Sequence, residues 1–349
     1  MSCARFFFKF SHHGEYSAFH RLIHFLPQSD FTVDATLPLK RFIPRRAHYR
    51  AECFWRKRKE NFFWEQSRKQ EMKCVHYLYP ENTWFDPPER KGDPALIITA
   101  HQPVESLKSR WGSKGMEQMQ AAISRASAIV TVGPNEVDFF AEKAPNAKVT
   151  FIPHGIDTHW FRPPDLLESD SVKESMRDFL TMGSWLRDFG VWASVVEEAA
   201  KKKLGFRFSI RAAGREFETA LGSLSPSARN SVFVLNRMSD FELRQCYWGH
   251  RGVFLPLKSA TANNAVLESL ACGIPLITTD LAATKAYTQG SVITFANEDI
   301  SGICDGLGRL KEPEFAKRLS EKGLLQVDNN LSWGEILRQY KMVEKQFSA

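Results

Sequence analysis

The six cysteines of this 349-residue chain, Cys3, Cys53, Cys74, Cys246, Cys272 and Cys304, are scattered, with no C-x-x-C pair and no His/Cys cluster. Such a set suits neither a disulfide framework nor a zinc site, and a reducing cytoplasm is the expected compartment. No apolar run approaches the ~20 residues of a membrane span. The opening MSCARFFFKFSHH has an apolar core too short for a signal peptide and no small-residue cleavage site, so it reads as a first strand. An Asp-x-Asp pair, which would place a divalent metal beside a phosphate, is absent, and no internal repeat or low-complexity tract stands out.

What is present suits a soluble globular protein: 43% apolar and 25% charged residues, in a chain long enough for two domains. Strand and helix signals alternate along the first half. Phe6 to Phe10, Cys74 to Leu78, Ala95 to Thr99, Ala128 to Val132 and Val149 to Ile152 read as strands, and Ala18 to Phe25, Met116 to Arg125 and Pro134 to Glu142 as helices. The segment Phe161-Arg162-Pro163-Pro164-Asp165 breaks the pattern and is the candidate linker. Alternation then restarts with strands at Phe179 to Met182, Phe206 to Ile210, Val232 to Leu235 and Val292 to Phe295. Ser239-Asp240-Phe241-Glu242 is a capping box. Two parallel, doubly wound sheets follow from this order.

The most informative stretch is Ala260 to Asp280, ATANNAVLESLACGIPLITTD. It follows the apolar run Gly252 to Leu257, a buried parallel strand. A polar loop leads into a short helix with Val266, Leu267, Leu270 and Ala271 turned inward. Gly273 supplies a left-handed C-cap, and the next strand starts at Pro275. A strand–loop–helix of this kind aims backbone N–H groups of Asn263, Asn264 and Ala265 at an anion, phosphate above all. Glu268 lies one turn behind Asn264 on the same face, where its carboxylate can take hydrogen bonds from a ribose diol.

This segment resembles the donor-site signature of retaining family 4 glycosyltransferases, in which a Glu-x7-Glu motif sits in a context such as LEAMACGxPVVATD. LESLACGIPLITTD matches its second half and places the family's ribose-binding Glu at Glu268; the first Glu's position is Ala260. The resemblance implies the GT-B fold: two Rossmann-like domains facing each other across a cleft, with a C-terminal helix crossing back to the first. On this basis we expect an acceptor-side domain over 1–162, a donor-binding domain over 163–330 and that helix over 331–349.

Other positions carry the resemblance further. Phe151-Ile152-Pro153-His154-Gly155-Ile156-Asp157, with Phe161-Arg162-Pro163, is similar to the family's interdomain motif. His101, ending the run ALIITA, matches the His the family carries near the donor sugar, which implies hydrogen bonding to the sugar or β-phosphate. Gly14 in HHGEYS falls at the family's glycine loop. Where the family has Gly-Arg-Leu and then Lys-Gly, this chain has Gly183-Ser184-Trp185-Leu186-Arg187-Asp188-Phe189-Gly190, so Ser184 and a displaced Arg187 are the candidates there. Lys258 is a second cation for phosphate, and Arg237 lies in the loop that lines the family's base pocket. Either cation, and Arg237, could equally be a solvated surface charge.

Pro38 to Lys73 is compositionally the most unusual region. Twelve Lys and Arg stand against four Glu, a surplus of eight in a chain whose total is +7, and Phe54, Trp55, Phe62, Phe63 and Trp64 are interleaved. An anionic membrane surface or anionic acceptor suits this mixture; a solvated helix face with aromatics turned inward is the alternative, and nucleic acid is not expected.

The reading is therefore a metal-independent, retaining hexosyltransferase with a nucleoside diphosphate sugar (UDP- or GDP-linked) as co-substrate. A sugar or lipid-linked acceptor is expected, with a cytoplasmic location, peripheral on the inner face of the cell membrane. A non-catalytic nucleotide-sugar-binding protein, and a GT-B epimerase or hydrolase, stay open as alternatives.

Overall fold

Near-continuous apolar strands can be satisfied only when both faces are covered, and that demand builds the molecule. A computed structural model describes residues 3–9, 14–16, 19–27, 30–38, 42–110, 113–165 and 177–347. Phe10, the His12-His13 pair, Ser17, and Lys40 and Arg41 of the basic segment lie outside the described residues. The chain divides into two units, one of residues 1–14, 18–154 and 333–349, the other of 15–17 and 155–332.

In the first unit, β1 (Cys3–Phe7), β2 (Thr32–Asp34), β3 (Cys74–Tyr77), β4 (Ala95–Ala100), β5 (Ala128–Thr131) and β6 (Lys148–Phe151) form a six-stranded sheet in the order β2-β1-β3-β4-β5-β6. Every pairing is parallel. Helices α1 (His48–Lys69), α2 (Pro80–Thr83), α3 (Val104–Arg110), α4 (Lys114–Arg125) and α5 (Glu136–Lys143) connect them, with a 3-10 turn at Phe19–Phe25. The order reverses between β1 and β3, so the loops leaving their carboxyl ends flank the switch point of this sheet.

The C-terminal helix Trp333–Lys345 belongs to this unit and buries Trp333, Ile336, Leu337, Tyr340, Val343 and Glu344 along one stripe. Glu344 is 2% exposed. Arg5 of β1 donates from Nη2 to both of its oxygens, at 2.7 and 2.8 Å, and from Nη1 to Asp30 at 2.7 Å. His76 Nδ1 lies 3.5 Å from Glu344, and its Nε2 meets Thr99 Oγ1 at 2.7 Å. Burial pushes the Glu344 carboxyl up, but the His76 ring and the Arg5 charge outweigh it and hold it below its ordinary value.

The second unit holds β7 (Arg177–Met182), β8 (Phe208–Arg211), β9 (Val232–Val234), β10 (His250–Leu255), β11 (Leu276–Thr279) and β12 (Ile293–Phe295), again all parallel, ordered β12-β11-β10-β7-β8-β9. Relabelled from its first strand this is the 3-2-1-4-5-6 order of a dinucleotide-type sheet, whose switch point falls between β7 and β10. Its helices are α6 (Phe189–Lys201), α7 (Arg215–Gly222), α8 (Pro226–Asn230), α9 (Asp240–Trp248), α10 (Asn264–Ala271), α11 (Ala282–Thr288), α12 (Ile300–Arg309) and α13 (Pro313–Gln326). Phe179, Trp192, Phe208, Phe254, Ile277, Ile303 and Leu307 pack its core. Phe161, in the segment expected as a linker, is fully buried here. The Trp160 carbonyl accepts from Arg244 at 3.1 Å and the Arg162 carbonyl from Trp248 Nε1 at 2.8 Å, so α9 fixes this stretch as part of the unit.

Arg5→Met strands Glu344 as a buried charge and should destabilise the protein by about 3–5 kcal/mol, while Arg5→Met with Glu344→Leu should recover most of the loss. Urea unfolding of the three proteins checks this. A single variant as stable as wild type would show that the pair does not tie the C-terminal helix to β1.

Candidate functional site

At the switch point of the second unit, the loops after β7 and β10 are hydrogen-bonded to each other. Lys258 N donates to Leu186 O and Asp188 N to Pro256 O, both at 3.0 Å. Arg187 occupies the centre of the first loop and is 7% exposed. Its Nε donates to Met182 O at 2.7 Å, Nη1 to Trp185 O at 2.9 Å and Nη2 to Asn263 Oδ1 at 3.4 Å. Gly183 has φ +86°, and a Cβ there would meet Arg187 Nη2 at 2.9 Å, so the close wrap of the loop requires glycine. Burial lowers the Arg187 pKa to about 10, against the opposing influence of Tyr247 and Glu268. The candidate phosphate cation is thus folded into the protein, with its donors on protein acceptors.

Asn263 is the N-cap of α10: its Oδ1 accepts from Ala265 N at 3.1 Å while also receiving Arg187. Asn264, the next residue, is half-buried at the first helical position. One turn on, Glu268 is 4% exposed. Tyr247, at the end of α9, donates its hydroxyl to Glu268 Oε2 at 2.7 Å. Burial, then the Glu268 charge, raises the Tyr247 pKa well above its ordinary value, so the phenol stays a donor. The helix closes at Gly273, with φ +69°.

The structure therefore gathers Arg187, Asn263, Ala265 and Glu268 around one helix start, with Tyr247 as a member that periodicity did not single out. Its signal was present: an aromatic with a polar tip, buried at a helix end, needs a partner. Ser184 is tied elsewhere, its Oγ accepting from Ala213 N at 2.8 Å beyond β8. Lys258 pairs with Glu216 of α7 at 2.9 Å, both exposed. Arg237 is exposed in the loop after β9, two strands from β7.

The remaining two positions are in the first unit. Gly14 is half-buried and follows β1 in the chain. His101 directly follows β4, half-buried. Its Nε2 lies 2.7 Å from Leu78 O, which calls for the proton on Nε2, and its ring stacks on Tyr79 at 4.4 Å and meets Phe19 edge-on at 4.6 Å. Glu81 Oε1 accepts the backbone amides of His101 at 2.6 Å and Gln102 at 3.3 Å. Burial of that carboxyl raises its pKa from 4.5 to about 7, despite those amides.

Residues 183–312 match the family model of glycosyl transferases group 1. The second unit carries a glycosyl transferases group 1 domain. Its match begins at the glycine that admits Arg187 and includes Tyr247, Asn263 and Glu268. No curated protein matches the sequence. Among solved structures, the chain is similar to HepE of Anabaena in complex with UDP, at 9% identity and TM-score 0.73 over 99% of this chain and 100% of that one. Sucrose-phosphate synthase from Thermosynechococcus elongatus is 14% identical, with TM-score 0.68 over 99% of both chains. The N-terminal domain of Candida albicans trehalose-6-phosphate phosphatase is 12% identical, with TM-score 0.72 over 100% and 97%. At these identities the likeness establishes the fold, which is GT-B; it contains the group 1 domain as its second Rossmann-like unit.

The loop carrying His101 gives a pH prediction. Because the folded-state pKa of Glu81 lies above its unfolded value, the native state favours the protonated form, and stability falls as pH rises from about 4.5 to about 7. Glu81→Gln keeps the acceptor for both amides and removes the titration. Its stability relative to wild type should rise by about 1–3 kcal/mol between pH 5 and pH 8. Urea unfolding at both pH values measures this, and a constant difference would place the Glu81 carboxyl in water.

Proposed function

We propose that the chain is a retaining glycosyltransferase that moves a hexose-type sugar from a UDP- or GDP-linked donor to the hydroxyl of a glycan or lipid-linked acceptor. The observation that carries this reading is the buried Glu268 carboxylate, oriented by Tyr247 on a helix that starts at the switch point of a group 1 domain. Oε2 takes the Tyr247 hydroxyl; the same carboxylate, one turn from the helix start, suits a ribose diol. A similar fold solved with UDP bound, HepE, supports a nucleotide-linked donor, and likeness to a sucrose-phosphate synthase supports a sugar acceptor.

On this reading the helix start at Asn263, Asn264 and Ala265 receives the diphosphate, aided by Lys258, with Ser184, Arg237 and Gly14 bordering the donor. The leaving diphosphate accepts the proton of the incoming hydroxyl on the face it departs from, which retains configuration without a protein nucleophile. Growing charge on that diphosphate is stabilised by fixed dipoles and cations. On this reading transfer runs without a metal, in keeping with a sequence that has no Asp-x-Asp. Two observations favour a second reading, binding without transfer: Ala260 stands at the first acidic position of the signature, and Arg187 is engaged by protein acceptors. An epimerase or hydrolase would consume donor with no acceptor present.

Glu268→Ala should weaken UDP or GDP binding by about 1.5–3 kcal/mol, and Tyr247→Phe by about 0.5–1.5 kcal/mol, by isothermal titration. Unchanged affinity in Glu268→Ala, with the fold intact, removes the ribose assignment.

His101 is proposed to act on the sugar or β-phosphate. With EDTA present throughout, His101→Ala should lower kcat more than it weakens nucleoside diphosphate binding. Stabilisation by donor with no turnover in wild type would favour the binding protein, and turnover unaffected by the variant would leave His101 a packing residue against Tyr79 and Phe19.

A further inference from the structure

Helix α1 has two unlike faces. Glu60, Phe63, Trp64 and Ser67 are buried against the first sheet, where Trp64 Nε1 donates to Tyr77 Oη at 2.7 Å and Tyr77 Oη to Glu60 at 3.0 Å. Arg50, Phe54, Lys57, Arg58, Phe62 and Lys69 are all exposed. At 100° per residue these six lie within an arc of roughly 140° on the opposite side. Phe54 is 70% exposed and Phe62 46%, and Tyr49, in the first turn, is 77% exposed. Arg68 shares that arc but is half-buried and paired with Asp93 at 2.6 Å, so its exposed residues carry four cations against one anion, Glu65.

A surface helix ordinarily keeps its aromatics on the buried stripe and its charges outside. Here Phe63 and Trp64 obey that rule, while Phe54 and Phe62 stand among cations in water. Arg56 reaches over the Phe8 ring at 4.2 Å and Lys59 over Trp55 at 5.0 Å, so these two basic side chains lie along rings of the fold. The helix is far too polar to cross a bilayer, and no described helix is long and apolar enough to do so.

We propose that this outward face of α1 docks on an anionic lipid surface, with Phe54 and Phe62 entering the headgroup layer and Arg50, Lys57, Arg58 and Lys69 meeting lipid phosphates. Charge complementarity selects the occupant: a row of cations flanking exposed phenyl rings on a straight helix of 22 residues presents apolar groups at one depth and positive charge beside them. The inference goes beyond the transferase reading and does not depend on it.

Co-sedimentation with phosphatidylserine-containing vesicles and with pure phosphatidylcholine vesicles, at low and high salt, tests the proposal. Wild type should prefer the anionic vesicles and release them as salt shortens the screening length to about 3 Å at 1 M. Arg50→Gln with Lys57→Gln and Arg58→Gln should lower that binding roughly 100-fold, since each cation near an anionic leaflet contributes close to a factor of five. Phe54→Ser with Phe62→Ser should also weaken it, with unchanged urea midpoints in both variants showing that the exposed face alone was altered. Equal binding to both vesicle types, no binding, or unchanged binding in the variants overturns the proposal. So does a DNA duplex that displaces the protein from vesicles at matched phosphate concentration, which would make the face a nucleic-acid surface. None of these readouts uses nucleotide or activity.

Discussion

A guanidinium taken out of water must find acceptors for its donors, and in the second unit that requirement shapes the carboxyl edge of the sheet. Arg187 finds the Met182 carbonyl where β7 ends, the Trp185 carbonyl within its own loop and the Asn263 side chain at the start of α10. To reach all three, the chain turns through positive φ at Gly183 and at Leu186. A positive φ at a leucine is costly and persists only where its surroundings over-determine it. The antiparallel bridge between Arg187 and Leu257 then fixes the loop after β10. From there Leu257 N donates to Thr279 Oγ1, which meets Asn297, which reaches back to Asp188, the N-cap of α6. One buried cation thus sets the register of four loops, and Glu268 inherits its position from them.

The sheets were legible because burial on both faces leaves an apolar run that no helix of that length would need: ALIIT and AIVTV are strands as read, and the Ser239–Glu242 capping box forms. Boundaries shifted by two or three residues at strand starts, as at β7, which takes in Arg177 and Asp178 ahead of Phe179, and at β1, which begins at Cys3 rather than Phe6. Two features could not be read. Phe161-Arg162-Pro163-Pro164-Asp165 carries linker chemistry, yet its backbone carbonyls are the acceptors that Arg244 and Trp248 need, and such tertiary demand leaves no local pattern. Arg187 read equally as a phosphate contact or a surface cation, because charge type says nothing of where acceptors will converge. Tyr247 was missed although its polar-tipped ring calls for a partner, because that partner lies 21 residues away.

The composition of the basic-aromatic segment offered a solvated face or an interface, and α1 divides its aromatics by exposure: Phe63 and Trp64 inward, Phe54 and Phe62 outward. Composition counts residues over all sides of a helix, whereas a 100° step assigns them to one.

The two cations considered for the diphosphate have different capacities. Lys258 is held by Glu216 in an exposed pair, an interaction worth about 0–1 kcal/mol, so an arriving diphosphate can draw it away at little cost. Arg187 is buried, and moving it would leave the Met182 and Trp185 carbonyls without this donor, at about 1–3 kcal/mol each, and would take one of two donors from the Asn263 amide oxygen. On the proposed reading the lysine is therefore the cation that responds to donor. The arginine is the one that keeps Asn263 capping α10, and through that cap it holds the amide at Ala265 and the carboxylate at Glu268 in place before any ligand arrives. Such a division suits catalysis by preorganisation, since dipoles already paid for in folding need no rearrangement when charge develops on the leaving group.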